Sequence, residues 1–330
     1  MTQTAFAALR SCVGGVKGNM TTASALRVPG LPVVDLHGHV IADDTRRYPV
    51  QPMGGKQSDW SKERPVNCAG MMEAMAQAGV VQSMLVQAST CYGHDNSYVQ
   101  ASVQAHPRIF AGVFSVDMQA ADAIAQVRKW RQAGLSGARV FIAGHTAADR
   151  TQRLDDPRAF SAWGYIEKHR IPLCVQLRAD GLPQLEAMLR RFPSAVVLLD
   201  HFARPELGEG PPYERLTGLL GLARFEHLNF KYTTHNVRES KAGRATQAGF
   251  IRAMVDAFGA RRIGWGSNFP ASSGSLTALL GEAMEATASL STVEREWIFS
   301  RTARSLYATL GPHEDFVTNP PAAADQKAGP

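Results

Sequence analysis

The sequence predicts an α/β fold, a single-domain (β/α)8 TIM barrel, from three observations. Eight apolar runs of strand length alternate along the chain with amphipathic segments of helix length. The runs are continuous and rich in β-branched residues, which is typical of parallel strands that are covered on both faces. The length of 330 residues suits one large barrel, although it also fits two average domains.

The predicted strands are short runs with apolar side chains at almost every position, so each is expected to be buried on both faces. In chain order they are residues 32–35, 80–88, 110–116, 137–142, 172–177, 195–199, 228–233 and 262–266. The predicted helices between them repeat their apolar residues with the helical period, and Gly134 and Gly259 are typical helix-stop residues. These helices are residues 68–78, 97–105, 120–133, 157–169, 182–192, 212–225, 246–258 and 276–289.

All of these units fall within residues 31–310, which we predict to be the barrel. Residues 1–30 hold only one short apolar patch and predict a flexible N-terminal extension. Residues 311–330 are rich in proline, alanine and polar residues and predict a disordered tail. Residues 41–67 predict a long loop after the first strand, and because such loops lie on the catalytic face of a barrel, this one is a candidate lid.

The composition excludes several classes of function. The net charge of +6 comes from 35 Lys and Arg against 29 Asp and Glu, and the basic residues are scattered rather than clustered as in nucleic-acid-binding proteins. This mild excess is compatible with small anionic substrates. Four cysteines stand far apart with no C-x-x-C motif, so we expect a reducing, cytoplasmic location. No apolar run approaches the ~20 residues of a membrane span.

The first strand ends in the sequence DLHGH, with His37 and His39 two residues apart. Alternate residues of an extended strand share a face, so both imidazoles are expected to face the mouth of the barrel. Two imidazoles at such a place can bind one divalent metal or polarise a carbonyl group. Isolated histidines are commonly structural, but we interpret this pair as functional.

Two further strand ends carry polar residues. The sixth strand ends in LLDHFARP, which places His201 at the carboxyl edge of the sheet. The eighth strand ends in WGSNFP, where Gly266 allows a close backbone approach and Asn268 is expected to project into the mouth.

Together these three strand ends resemble the amidohydrolase superfamily, and more narrowly the amidohydrolase-2 group of lactonases that includes 2-pyrone-4,6-dicarboxylate lactonase. The markers are the segments VDLHGH, QASTCYGHDN, GARV, LDHFARP and WGSNFP, which occur in that order within residues 31–310. The resemblance implies that histidines of strands 1 and 6 surround the scissile carbonyl and that an acidic residue of strand 8 activates water.

The resemblance assigns catalytic positions to His37, His39, His201 and Asn268. At the last of these an aspartate would be expected, and asparagine cannot accept a proton near neutral pH. Asn268 therefore orients water or substrate, or the chain is catalytically weak, or another group takes the proton. The other groups are His94, Asp95, His145 and His235.

The metal content is left open by the sequence. Three neutral histidines, His37, His39 and His201, could hold a single Zn²⁺ with one open position. A two-metal site is not expected, because the resemblance would require a lysine at the end of strand 4 and a histidine on strand 5. Loss of the carboxylate at Asn268 favours a metal-independent site.

Five residues are predicted to bind the substrate. Arginine forms paired hydrogen bonds with carboxylates, and the resemblance implies that arginines near Arg139 and Arg238 bind substrate carboxylates. Gln87, Ser89 and Thr90 end the second strand and are expected to hydrogen-bond the substrate.

The expected function is that of a lactonase, an enzyme that hydrolyses the ester bond of a small carboxylated lactone. The expected partner is this small anionic substrate, with no nucleic acid or membrane, and we leave a homodimer open. A decarboxylase or a lactone isomerase on the same barrel is an alternative, because isomerisation needs no carboxylate that activates water. A catalytically impaired barrel that binds ligand is a further alternative.

Overall fold

The computed structural model describes residues 30–142 and 152–311. Within these ranges eight parallel strands lie side by side in chain order, which confirms the predicted (β/α)8 barrel. The strands are β1 Val33–Gly38, β2 Val80–Val86, β3 Phe110–Ser115, β4 Gly137–Phe141, β5 Leu173–Gln176, β6 Val197–Leu199, β7 Leu228–Thr233 and β8 Ile263–Gly266. The predicted extension and tail lie almost wholly outside the described residues, and so does His145.

Helices follow most of the strands and cover the outside of the sheet. They are α1 Asp59–Glu63, α2 Cys68–Ala78, α3 Ser89–Tyr92, α4 Ser97–Ala105, α5 Ala123–Gln132, α6 Phe160–Lys168, α7 Leu182–Arg191, α8 Thr217–Leu220, α9 Thr234–Glu239, α10 Gln247–Phe258, α11 Leu276–Ala286, α12 Thr292–Glu296 and α13 Thr302–Leu306. A π-helical turn, Trp297–Arg301, joins the last two.

The first and last strands meet just beyond their carboxyl ends. The backbone N–H of Asn268 donates to the carbonyl of His37, and the N–H of His39 donates to the carbonyl of Phe269, both at 2.8 Å. The carboxylate of Asp35 accepts a further bond from the N–H of Ser267 at 2.8 Å. These bonds hold the DLHGH and WGSNFP segments against each other at the mouth of the barrel.

Alternate residues of the strands divide between two apolar clusters. In β5 and β6, Cys174 and Leu198 belong to a small cluster that also contains Tyr307, whereas their strand neighbours belong to the large cluster beneath the helices. This alternation is expected for strands whose two faces are both buried. The small cluster fills the inside of the barrel and leaves the polar residues at its mouth.

The predicted helix over residues 212–225 is wrong as a continuous helix. The structure breaks it into α8 between two 3₁₀ turns, Glu214–Leu216 and Gly221–Arg224. The buried residues Leu216, Leu219 and Leu222 recur every three positions, which is the period of a 3₁₀ helix and not of an α-helix. Two glycines in this segment lower its helix propensity further.

Replacement of Gly266 by alanine tests the close contact between β8 and β1. A Cβ atom at this position would lie 2.5 Å from Cβ of His37 and 3.1 Å from its backbone nitrogen. We expect Gly266→Ala to lower the free energy of unfolding by about 1–3 kcal/mol, measured by urea denaturation, because the first strand must shift.

The control is Gly218→Ala. This glycine lies within α8, and an added Cβ would meet no atom within 4 Å. The control variant should be as stable as the parent or slightly more stable, because alanine favours a helix. Equal stability of the two variants would refute the close contact.

Candidate active site

Three histidines meet where the strands end. His37 lies near the end of β1, His39 follows that strand, and His201 lies in the turn after β6. The centre of the His37 ring lies 4.8 Å from that of His39 and 5.0 Å from that of His201. All three side chains are buried. The structure thus brings the predicted histidines together, and their roles in catalysis remain predictions.

Each of the three rings has a contact at Nδ1. That atom of His39 lies 2.8 Å from the carbonyl oxygen of Val86, and that of His201 lies 2.7 Å from the hydroxyl of Thr233. Nδ1 of His37 lies 3.2 Å from the ammonium group of Lys231, whereas its Nε2 is buried without a hydrogen-bond partner. Among these rings, Nε2 of His37 is therefore the atom left for a ligand in the described structure.

Burial favours the neutral form of these rings. It is the largest cause that lowers the pKa of each histidine, and the nearby cations Lys231 and Arg139 lower these pKa values further. The pKa of His39 falls to about 4. A neutral imidazole can donate from one ring nitrogen and accept a proton at the other, whereas a charged imidazole can only donate.

A buried carboxylate with two buried cations lies beneath the histidines. Oδ2 of Asp200 accepts a bond from Nε of Arg139 at 3.1 Å, and Oδ1 lies 3.0 Å from Nζ of Lys231. The side chains of Asp200 and Lys231 are completely buried. A second oxygen acceptor, Oε1 of Gln176, lies 2.9 Å from Nη2 of Arg139. This cluster joins β4, β6 and β7.

Neither Lys231 nor Asp200 was among the residues predicted for the site. The available signal was a lysine inside an otherwise buried strand, at a position that alternates with the outward-facing Phe230 and Tyr232. A lysine there must face the inside of the barrel, where a charge needs a partner.

The turn that carries His201 has an unusual backbone. Residues 201–204 have successive φ angles of 56°, 50°, 60° and 48°, a left-handed run that costs about 1–2 kcal/mol per residue. Packing holds it in place, since Phe202 is buried and stacks on Phe230 with ring centres 4.9 Å apart. The amide of Asn236 also donates to the carbonyl of His201 at 2.8 Å.

Asn268 lies beside the histidines, as predicted. Its backbone is left-handed with φ 55°, and its amide nitrogen lies 3.0 Å from the hydroxyl of Ser272 and 3.3 Å from Nε2 of His235. The side chain also hydrogen-bonds to the ring of His39. Among the described alternatives for a base, His235 is therefore the one that the structure places against Asn268.

The other described alternatives have different contacts. Nδ1 of His94 lies 3.0 Å from the hydroxyl of Ser115 at the end of β3. The carboxylate of Asp95 accepts a bond from the N–H of Ser97 at 3.1 Å, at the start of α4. Neither of these contacts includes Asn268 or the three histidines.

The two arginines that were predicted to bind the substrate form ion pairs with carboxylates of the protein itself. Arg139 is buried against Asp200, and Arg238 pairs with Glu282 at 2.8 Å from a position on α9. The structure therefore brings Arg139 beneath the histidines and turns Arg238 towards α11. Their roles in substrate binding remain predictions.

The three residues after β2 that were predicted to bind the substrate each contact a different part of the protein. The amide nitrogen of Gln87 donates to the carbonyl of Asp95, and its Oε1 is buried without a hydrogen-bond partner. Ser89 donates to the hydroxyl of Ser115 at 3.1 Å, and Thr90 donates to that of Ser58 at 2.9 Å. Gln87 thus keeps one unpaired acceptor in the described structure, and the roles of these three residues in substrate binding remain predictions.

The long loop over residues 41–67 is fastened to the barrel. The N–H of Gln51 donates to the carbonyl of Cys91, and the N–H of Ser58 donates to that of Thr90. Within α1, Trp60 lies against His39 with ring centres 5.4 Å apart. The loop therefore forms one wall of the mouth.

The candidate metal-binding side chains, as they are arranged here, do not fit a divalent metal ion. His37, Asp200 and His201 have ligand-type atoms within 4.8 Å of one another. However, Asp200 already balances two buried cations, and the ammonium of Lys231 donates to Nδ1 of His37. That bond leaves the ring proton on Nε2, which then has no lone pair for a metal.

Replacement of Asp200 tests the buried charge cluster. In Asp200→Asn, Arg139 and Lys231 remain buried without a counter-charge, so we expect the free energy of unfolding to fall by about 3–5 kcal/mol. Urea denaturation measures it. As a control, Asp256→Asn removes a pair with Arg252 on the surface, where Asp256 is 64% exposed, and should cost less than about 1 kcal/mol.

A second variant keeps this test decisive if Asp200→Asn does not fold. Asp200→Asn combined with Lys231→Met removes one of the two uncompensated charges and should recover part of the lost stability. If the double variant also fails to fold, or is no more stable than Asp200→Asn, charge balance is not the role of this cluster.

Acid should destabilise the protein through its buried histidines. A histidine with a folded-state pKa below its unfolded value near 6.5 stabilises the fold above that pH and loses this contribution as pH falls. For His39, whose pKa falls to about 4, we expect the free energy of unfolding to fall by about 1.4 kcal/mol per pH unit between pH 6.5 and 4. His39→Gln should reduce this slope, and an unchanged slope would contradict the assignment.

Comparisons with known proteins place the chain in a family. Residues 34–309 match the family model described as amidohydrolase. L-fucono-1,5-lactonase of Burkholderia ambifaria is 25% identical over 252 residues, which cover 72% of this chain and 80% of that protein.

No helix in the described part of the chain is long and apolar enough to cross a membrane.

Solved structures share the fold at lower identity. A Pseudomonas putida protein described as a 2-pyrone-4,6-dicarboxylic acid hydrolase has a TM-score of 0.68 and 20% identity, covering 84% of this chain and 98% of its own. A Burkholderia multivorans amidohydrolase with bound zinc has a TM-score of 0.67 and 21% identity, covering 84% and 99%. A 2,6-dihydroxybenzoate decarboxylase from Rhizobium has a TM-score of 0.61 and 16% identity, covering 84% and 98%. The family match over most of the barrel confirms the resemblance seen in the sequence, and the chain belongs to the amidohydrolase family.

Proposed function

We propose that the protein is a lactonase that hydrolyses the ester bond of a small lactone without a bound metal. The observation that carries this proposal is the group of His37, His39 and His201, in which each Nδ1 contacts the protein and Nε2 of His37 has no hydrogen-bond partner in the described structure. The similarity to L-fucono-1,5-lactonase of Burkholderia ambifaria, at 25% identity, supports the same reaction class.

His37 is suited to polarise the scissile carbonyl. Its Nδ1 accepts from Lys231, so its Nε2 carries a proton that no protein group accepts in the described structure. In the mechanism we propose, this N–H donates to the carbonyl oxygen and stabilises the negative charge that develops there when water attacks. A prepositioned donor of this kind in a site without bulk water accounts for about 10²–10³ in rate.

His235 and Asn268 are suited to hold the attacking water. The amide of Asn268 donates to Nε2 of His235, so that atom carries a lone pair. A water molecule that enters between the two side chains would donate to this lone pair, and His235 would take its proton as the general base while the water oxygen bonds to the carbonyl carbon. When the ring C–O bond then breaks, His235 would return this proton to the leaving ring oxygen. Asn268 then orients the water, which is a role that an amide can perform without accepting a proton.

A lactonase is favoured over the two other candidates by this arrangement. Decarboxylation and isomerisation need no attacking water. In the mechanism we propose, His235 lies against Asn268 and serves as the base for such a water, while His37 binds the carbonyl. Release of CO₂ or of a shifted ring would identify those reactions, and a hydroxy acid identifies hydrolysis. If Asn268→Asp alone creates activity, the parent is an impaired barrel.

A panel of lactones tests the proposed function. The panel contains sugar-acid lactones, 2-pyrone-4,6-dicarboxylate and unsubstituted δ-valerolactone, and acid release is followed with a pH indicator. We expect at least one lactone to open faster than in buffer, unchanged by a chelator and not accelerated by added Zn²⁺. His37→Gln should lower kcat by at least about 100-fold because the oxyanion donor is lost.

The control variant is His169→Gln, at an exposed position of the barrel. It should retain the activity of the parent. Failure of every lactone in the panel to react above the rate in buffer would refute the proposal. An activity that depends on added Zn²⁺ would refute its metal-independent form.

A further inference from the structure

A buried lysine contacts two of the three side chains that are grouped as candidate metal ligands. Those side chains are His37, Asp200 and His201, whose ligand-type atoms lie within 4.8 Å of one another. Nζ of Lys231 lies 3.0 Å from Oδ1 of Asp200 and 3.2 Å from Nδ1 of His37. These two acceptor atoms are 3.7 Å apart. A metal ion bound to both of them would have to displace the ammonium group or lie against it.

The charge of Lys231 exceeds what Asp200 needs for neutralisation. Arg139 already neutralises this carboxylate, because its Nε and Nη2 lie 3.1 and 3.0 Å from Oδ2. Asp35, the other buried aspartate at the mouth, accepts its bonds from β1 and from the segment after β8. Lys231 is completely buried, and an ammonium group beyond charge balance is costly to bury. Its position therefore has a reason other than charge balance.

The contact between Lys231 and Asp200 is ionic rather than a directed hydrogen bond. Oδ1 of Asp200 has no hydrogen bond in the described structure, although Nζ of Lys231 is its close neighbour. A metal ion would hold a carboxylate oxygen in the same way, by its charge. The ammonium also donates to the lone pair at Nδ1 of His37. Its two neighbours are therefore a carboxylate oxygen and an imidazole nitrogen, which are both ligand types of Zn²⁺.

We propose that Lys231 is the resident cation of this site and excludes a divalent metal ion from it. The ammonium contacts Oδ1 of Asp200 and uses the lone pair at Nδ1 of His37, and its charge repels a second cation in a place without bulk water. This inference rests on the metal-free form of the proposed function and does not depend on which lactone reacts.

Removal of the ammonium should turn His37, Asp200 and His201 into a zinc site. Without Lys231, the ring of His37 can carry its proton on either nitrogen, so the other nitrogen offers a lone pair to a metal ion. Oδ1 of Asp200 then has no cation beside it, while Arg139 still pairs with Oδ2.

Lys231→Met tests the exclusion of metal. Methionine keeps much of the length of the buried side chain and lacks the charge. We expect the variant to bind one Zn²⁺ per chain at least about 100-fold more tightly than the parent, because a buried repulsion is removed. Calorimetry with a competing chelator, on protein without a histidine tag, measures this affinity. Zinc should also raise the urea midpoint of the variant and leave that of the parent unchanged.

Two further variants are the controls. Lys168→Met removes an exposed lysine at the end of α6 and should bind zinc no more tightly than the parent. Lys231→Met combined with His201→Gln removes one of the expected ligands and should lose the gain in affinity. The inference fails if Lys168→Met shows the same gain, or if the double variant keeps it.

Lys231→Gln keeps the test decisive if Lys231→Met does not fold. Glutamine is neutral, and its amide can still donate to Oδ1 of Asp200. It should show a gain in zinc affinity of the same direction. If neither variant folds, with zinc or without it, Lys231 is required for the fold and the inference is overturned. It is also overturned if either variant folds and binds zinc no more tightly than the parent.

The zinc measurement separates this inference from the proposed function. A parent that opens no lactone, together with a gain of zinc in Lys231→Met, would overturn the proposed function and leave the role of Lys231 intact. A parent that opens lactones without zinc, together with no gain in the variants, would do the reverse. One tightly bound Zn²⁺ per parent chain, lost in His201→Gln, would overturn both the inference and the metal-free form of the proposed function.

Discussion

The buried carboxylate of Asp200 is the interaction on which the site depends. It balances Arg139 from β4 and Lys231 from β7 in a place without water, where an unpaired charge would be very costly. The cluster therefore fixes the relative positions of three strands that are far apart in sequence. Because Lys231 also contacts His37, the same cluster determines which nitrogen of that ring carries the proton.

Backbone strain is concentrated on the same side of the barrel. Residues 201–204 and Asn268 all have positive φ angles without being glycine. Such conformations persist only where the surroundings determine them, and here the packing of Phe202 against Phe230 does so. The large apolar core beneath the helices offsets this cost. In return, the turn holds the ring of His201 beside that of His37.

Much of the barrel could be predicted from the sequence because its elements have local signals. The predicted helices over residues 68–78 and 97–105 and the predicted strand over residues 228–233 have the bounds of α2, α4 and β7. The prediction of one α-helix over residues 212–225 was wrong, because apolar residues that recur every three positions were taken for the period of an α-helix. Helix α9 was missed because its six residues are too few to show a period.

The sequence by itself determined the order of the strands and the presence of histidines at two strand ends. Continuous apolar runs and the spacing of polar residues are properties of short segments, so they can be recognised without a fold. Only the tertiary structure decided which charges neutralise each other. It paired Arg139 and Lys231 with Asp200, turned Arg238 towards Glu282 and placed His235 against Asn268. These pairings join residues from different strands and helices, and a buried charge acquires its partner only when the barrel closes.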